Sequence, residues 1–278
     1  MTSHSSGPKP AKYCGHVRSP RPTRTELTRM KLEAAHLRQK RRQPLARYTR
    51  AFVRRFGAEV RDGPFAGMLY TRRGIAMAED VVAKLLGAYE LELFPAIEEA
   101  ISHRPGVIVN VGAGEGYYAV GLARRCPDVQ VVAFEIDPLR RLWCEKMAGA
   151  NEVGSRVEIR GACDPLELER ALASRPSLVV CDCEGAEADV IDAAQTPSLG
   201  LALVLVEVHD FVDERIGPAL EKALAPTHTI EWILAQPRWR DDFPRLAEVP
   251  RSGYMEHDLA VSEFRPRQMR WLVARPKS

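Results

Sequence analysis

The sequence contains no apolar run near the ~20 residues that a membrane-crossing helix requires, and no short apolar core opens the chain as a secretory leader would. Its six cysteines, Cys14, Cys126, Cys144, Cys163, Cys181 and Cys183, form no C-x-x-C pair and no zinc spacing. Reduced thiols are the expectation, and with them a cytoplasmic protein. Aromatic residues make up only 7% of the chain, and no internal repeat is present. Acids are scarce at the start: residues 1–61 carry 16 Lys and Arg against three acids, a net of +13, while the remainder holds 24 basic and 34 acidic residues, a net of −10. A basic arm is thus joined to an acidic body. Such an arm either contacts nucleic acid or anionic lipid, or is a solvated, partly disordered extension. Few aromatics stand among its arginines, so base stacking has little support there.

What is present is an α/β rhythm. The run Val107-Ile108-Val109-Asn110-Val111 reads as a buried strand, Gly112-Ala113-Gly114-Glu115-Gly116 as a turn, and 117–125 as a helix. Glycines remove the Cβ atoms that would block a close ligand and permit positive φ. The helix start then offers unpaired N–H groups and positive potential. A dinucleotide fingerprint would read G-x-G-x-x-G. Here the third glycine comes one residue early, at Gly116, and Tyr117 holds the dinucleotide position. Gly-x-Gly-x-Gly is similar instead to the S-adenosylmethionine (SAM) loop of Rossmann-like methyltransferases.

The next apolar run ends in Glu135, 19 residues after Gly116, followed by Ile136 and Asp137. An acid at the end of the second strand can accept both hydroxyls of a ribose, each charge-assisted bond contributing roughly 1.5–3 kcal/mol. Asp137 before Pro138 reads as a helix N-cap.

Strands are expected at 107–111, 131–136, 157–160, 178–183 and 201–208, with two more at 229–234 and 270–274. Helices are expected at 25–42, 46–56, 91–103, 117–125, 139–150, 165–174, 186–194 and 213–223. Apolar strands separated by helices imply a parallel sheet covered on both faces. The expected architecture is α/β, a Rossmann-like, seven-stranded, mostly parallel sheet with helices on both faces, plus a helical basic N-terminal extension. Three parts are expected: the extension at 1–60, a helical lead-in covering the cofactor site at 61–104, and the SAM-binding domain at 105–278.

Ligands of open α/β sheets bind beyond the carboxyl ends of the strands. There this chain carries Cys181-Asp182-Cys183-Glu184-Gly185-Ala186-Glu187 after the fourth strand and Val206-Glu207-Val208-His209-Asp210 at the fifth. Carboxylates so dense repel one another and raise one another's pKa unless a proton, a cation or a substrate amine compensates. His209 is open to two readings: a satisfied polar group at a strand end, or a general base whose tautomer a carboxylate sets. Asp210 is expected to be a solvated loop acid.

These segments together resemble the FkbM-type SAM-dependent methyltransferases. The match runs through 109–118, Ala133-Phe134-Glu135, 182–187 with its Asp-x-Glu-Gly-x-Glu pattern, and 206–209. The stretch Leu85-Leu86-Gly87-Ala88-Tyr89-Glu90 resembles a segment before the first strand in some members. Asn110 stands where an acid is usual, Gly114 where Asn is frequent and Cys183 where Val is frequent. The resemblance implies methylation of a hydroxyl on a sugar or natural-product-like small molecule. On this basis Tyr89, Glu90, Asn110, Gly112, Ala113, Gly114, Gly116, Tyr117, Glu135, Ile136, Cys163 and Asp182 are the candidate cofactor contacts. Asp182, Glu184, Glu207 and His209 are the candidate catalytic groups, and Asp182, Glu184 and Glu207 are candidate ligands for a divalent cation. Rival readings are an RNA methyltransferase that uses the basic arm and a SAM-fold binding protein without turnover. In the C-terminal part, Arg238, Trp239, Arg240, Tyr254, His257 and Asp258 are candidates for an acceptor pocket, although Trp239 reads better as a packing residue. The sequence leaves the oligomeric state open.

Overall fold

Seven strands form one sheet in the order β3-β2-β1-β4-β5-β7-β6. They are β1 Val107–Val111, β2 Gln130–Phe134, β3 Val157–Arg160, β4 Ser177–Cys181, β5 Ala202–Val208, β6 His228–Leu234 and β7 Arg270–Pro276. The first five run parallel, and β7 is antiparallel to both β5 and β6. This is the seven-stranded, mostly parallel Rossmann-like sheet expected from the apolar runs. The computed structural model describes residues 45–77, 80–249, 260–263 and 268–277. The expected helix at 25–42 and Cys14, Tyr254, His257 and Asp258 lie outside the described residues.

The helices are α1 (residues 45–56), α2 Arg72–Met77, α3 Val81–Leu86, α4 Phe94–Ser102, α5 Tyr117–Arg125, α6 Pro138–Ala150, α7 Pro165–Leu172, α8 Glu187–Val190 and α9 Ile216–Leu224. Helix starts follow local chemistry. The Asp137 side chain accepts from Leu139 N at 2.7 Å with Pro138 in the first turn, and Asp164 accepts from Glu167 N at 2.8 Å with Pro165 likewise placed. One core layer joins α1, α3, α4, α5 and α6 to Ile108, Val180, Leu205 and Trp271; the other joins α7, α8 and α9 to Val109, Val179 and Val206. The central strands β1, β2, β4 and β5 are therefore buried on both faces, which is why they are apolar with little alternation, whereas the edge strands β3 and β6 are only partly buried and carry polar residues. In α5, Ala119, Val120, Leu122 and Ala123 are all buried. At roughly 1.5–3 kcal/mol for each large side chain, that packing fixes the helix behind the glycine turn.

The described residues belong to one unit, residues 43–278. Tyr48 and Phe52, which the charge boundary near residue 60 assigns to the arm, pack in the first core layer. A truncation meant to remove only basic chain must therefore end before α1. Among the described residues, no helix is long and apolar enough to cross a membrane.

Several element bounds differ from the sequence expectation. The second and fourth strands stop at Phe134 and Cys181, so Glu135 and Asp182 stand just beyond the ladder rather than inside it. The helix expected at 186–194 is reduced to Glu187–Val190. The Asp192 side chain accepts from Ala194 N at 2.9 Å and from the Gln195 amide at 2.6 Å, and this local turn competes with continuation of the helix. Trp239 is not a packing residue; it is 63% exposed.

Candidate functional site

The strand order reverses between β1 and β4, which opens a crevice at their carboxyl ends. The turn from β1 into α5 borders it. Gly112 has φ +77°, and a Cβ there would sit 1.6 Å from the Asp182 carbonyl oxygen. The backbones of the turn and of the segment after β4 meet at this point, and only glycine allows that approach. Gly114, at φ +56°, differs: a Cβ would meet no atom of the described residues within 4 Å. Its open side is the room in which a ligand could touch main chain.

Glu135 braces this turn. Its carboxylate accepts Gly114 N–H at 2.8 Å and Asp137 N–H at 2.9 Å, and the residue is buried. Each oxygen keeps a further lone pair, so the same carboxylate can hold the turn and still accept ribose hydroxyls. If this carboxylate holds a ribose, as the sequence leads one to expect, Glu135→Ala will weaken binding of S-adenosylhomocysteine (SAH), the demethylated form of SAM, about 10–100-fold. Calorimetric titration checks this, and unchanged affinity would remove the ribose role.

Glu115, within the same turn, is tied to the lead-in segment. Lys84 Nζ lies 2.7 Å from Glu115 and 3.2 Å from Asp80, and the Tyr70 hydroxyl donates to Glu115 at 3.1 Å. Burial disfavours the Lys84 charge, but the two carboxylates hold its pKa above the ordinary amine value. The ammonium also stands 4.6 Å from the Tyr89 ring centroid and 5.4 Å from that of Tyr117. Tyr89 and Tyr117 pack edge to face, and the Tyr118 hydroxyl bonds the buried Glu90 carboxylate. Asn110 is 1% exposed; its amide donates to Val180 O at 3.3 Å, while its Oδ1 has no partner among the described residues. Ile136, beyond β2, is 77% exposed. Cys163 stands after β3, where burial pushes its thiol up to about 12. Among the described residues the cysteines are free thiols, and Cys181 Sγ and Cys183 Sγ are 3.7 Å apart.

The acid cluster assembles on His209. This ring is buried, and its Nδ1 lies 2.7 Å from Glu187 Oε1, which also accepts Gly185 N–H. Burial disfavours the Glu187 charge, but the His209 and Gly185 hydrogen bonds prevail and hold its carboxyl below the usual range. Nδ1–H is therefore the donor, and Nε2 is the basic nitrogen of the neutral ring. Around Nε2 stand Glu184 at 3.6 Å, Asp182 at 3.8 Å and Glu207 at 3.9 Å. Burial opposes the imidazolium, yet the Glu187 bond and the fields of Asp182, Glu187 and Glu184 raise its pKa. Burial, followed by the Glu90 charge, pushes the Asp182 carboxyl up to about 7. Glu207 is buried on β5 opposite Trp271, whereas the Glu184 side chain is 78% exposed at the rim. Oxygens of Asp182 and Glu207 and a nitrogen of His209 lie within 4.8 Å of one another.

All four catalytic candidates therefore meet at one point, and the glycine turn borders the same crevice. Sequence reasoning did not find Lys84, whose only signal was its nearness to Tyr89 and Glu90. It placed Glu187 in the cluster without giving it the role of orienting His209. Asp210 is not a solvated acid: it pairs with Arg270 Nε at 2.8 Å and accepts Gly217 N–H at 2.9 Å.

No family model matches the chain, and no curated protein matches it. Among solved structures it is similar to an SAH-bound methyltransferase of Podospora anserina, with 14% identity, TM-score 0.45 and coverage of 94% of this chain and 100% of that one. A second is an O-methyltransferase from Bacillus cereus in complex with SAH, with 14% identity, TM-score 0.41 and coverage of 64% and 78%. A third is a precorrin-6y methyltransferase from Geobacter metallireducens, with 10% identity, TM-score 0.43 and coverage of 66% and 89%.

Proposed function

We propose that this protein is a SAM-dependent methyltransferase that methylates a hydroxyl of a small molecule, a sugar or a natural-product-like acceptor. One observation carries the reading: a glycine turn braced by a strand-end glutamate borders the same crevice as a buried histidine oriented by an ionised carboxylate. The Asp182-Cys183-Glu184-Gly185-Ala186-Glu187 segment supports the finer, FkbM-type assignment.

The residues fit the cofactor. Gly112, Ala113, Gly114 and Gly116 would offer main chain, and a side chain at Gly114 would occupy space that is open. Glu135 would hold the ribose. Asn110 Oδ1, buried without a donor among the described residues, would accept from the methionyl amine, since a buried acceptor left unpaired costs about 1–3 kcal/mol. Tyr89, Glu90 and Tyr117 would close one side, with Ile136 and Cys163 on the loops after β2 and β3. When bound, SAM supplies a methyl group on a sulfonium centre open to in-line attack.

The protein's own task is to align the acceptor and remove its proton. A neutral alcohol is a weak nucleophile, so a base is needed. His209 Nε2 takes the hydroxyl proton, and the Glu187 carboxylate stabilises the imidazolium that forms. Asp182, Glu184 and Glu207 surround that nitrogen and accept hydrogen bonds from the acceptor's other hydroxyls. Positioning of this kind can supply up to about 7–11 kcal/mol of the barrier.

A second reading has its own observation. The two oxygens and one nitrogen of Asp182, Glu207 and His209 are close enough to share a divalent cation. With His209 acting as the base, turnover is expected to survive exhaustive EDTA treatment. A loss restored by Mg²⁺ or Mn²⁺ would replace the base with a metal.

A further inference from the structure

The chain between β6 and β7 reaches back to the turn between α3 and α4. The Arg238 side chain is 5% exposed; its Nε donates to Ala88 O at 2.9 Å, and its terminal nitrogens meet Gln236 O, Glu92 and, at 2.9 Å, Glu263. Glu263 Oε1 accepts the Glu90 N–H at 2.7 Å. Glu90 is a non-glycine residue at φ +50°, a conformation that persists only where its surroundings impose it. Its buried side chain then bonds the Tyr118 hydroxyl, two positions after Gly116. A continuous line of polar contacts thus runs from Arg238 through Glu263 and Glu90 to the start of α5. Two acids, Glu92 and Glu263, share this guanidinium. Burial, with Glu90 beside it, pushes the Glu263 carboxyl up to about 8, so a neutral amide is a fair replacement there.

We propose that Arg238 and Glu263 are positioning residues for methyl transfer: they hold Glu90 in the left-handed conformation that sets Tyr89 and Glu90 against the cofactor turn. The proposal rests on the cofactor reading above. A bidentate guanidinium is suited to the task because its fork fixes carboxylates and carbonyls in one plane. Neither residue needs to touch a ligand. Their effect passes through Glu90, whose main chain and side chain are held by Glu263 and Tyr118 respectively.

The test titrates SAH calorimetrically into the full chain and into Glu263→Ala, Glu263→Gln, Arg238→Met and Arg238→Lys, with a thermal melt of each. Glu263→Ala and Arg238→Met are expected to raise the Kd about tenfold or more, because a displaced turn misplaces binding groups. Glu263→Gln, which can still accept the Glu90 N–H, is expected to stay within about twofold of the unaltered protein. Arg238→Lys, which keeps the charge but loses the fork, is expected to fall between. A merely structural role would lower the melting temperature and leave the Kd of the folded protein unchanged, and that result would overturn the proposal. So would Glu263→Gln binding as weakly as Glu263→Ala. If the alanine and methionine variants do not fold, the glutamine and lysine variants carry the test: both equal to the unaltered protein would overturn it. An unaltered protein that binds no SAH would remove the cofactor reading itself, which distinguishes that failure from this one.

Discussion

Replacing His209 with glutamine is expected to lower turnover about 10²–10⁴-fold, the usual contribution of a positioned general base. The SAH Kd should stay within a factor of about three, because the lost interaction belongs to the transition state. The pH dependence makes this sharper. The base must be neutral to accept a proton, so the rate should rise with pH. Burial alone would lower the His209 pKa, but Glu187, Asp182 and Glu184 raise it. The midpoint is therefore expected above the ordinary imidazole value of about 6.5. Glu187→Gln removes the carboxylate and leaves the burial, so the midpoint should move down. Asp182, at about 7, titrates in the same window. The unaltered profile therefore reports values of the cluster rather than of one residue, and Asp182→Asn should simplify it. A profile that ignores Glu187→Gln would show that this histidine is not the base.

Gly112→Ala and Gly114→Ala are expected to fail in opposite ways. At Gly112 the added Cβ would lie 1.6 Å from the Asp182 carbonyl oxygen, at a φ of +77°. Backbone would have to move at the ends of two central strands. A loss above about 4 kcal/mol follows from the mechanisms that produce the largest substitution effects, or a melting temperature lowered by about 10 °C or more. At Gly114 the Cβ would meet no atom of the described residues within 4 Å, and only the left-handed backbone, φ +56°, is unfavourable. That costs roughly 1–2 kcal/mol, a few degrees of melting temperature. Its effect should appear in SAH affinity, at least about tenfold weaker, because the methyl group occupies the space a ligand needs. Gly114→Ala binding SAH as well as the unaltered protein would mean that no ligand approaches the turn there.

The central strands were the most legible part of the fold because sheet burial on both faces leaves continuous apolar runs. β1 and β3 have the expected bounds, and β2 and β4 end earlier. β2 gives way because the Glu135 side chain turns to bind Gly114 N–H and Asp137 N–H, a demand that no periodicity reveals. The helix expected at 186–194 is cut short because the Asp192 turn, hidden within a run of helix-forming residues, ends it. In the candidate site, the Gly-x-Gly-x-Gly turn and the carboxylates around His209 were visible as local spacing. The Arg238 network was not, because its partners Ala88, Glu92 and Glu263 come from segments far apart in the chain. The pairing of Asp210 is hidden from the sequence in the same way: Arg270, its partner, is 60 residues away.

On the proposed function, the turn at Gly112–Gly116, braced by Glu135, binds a sulfonium nucleoside so that a methyl group can leave it. Calorimetric titration of the full chain with SAH measures this directly. One saturable site with a Kd in the micromolar range, about −8 kcal/mol, is the predicted result, accompanied by a rise in melting temperature. A well-folded protein that gives neither heat nor a thermal shift with SAH or SAM would contradict it.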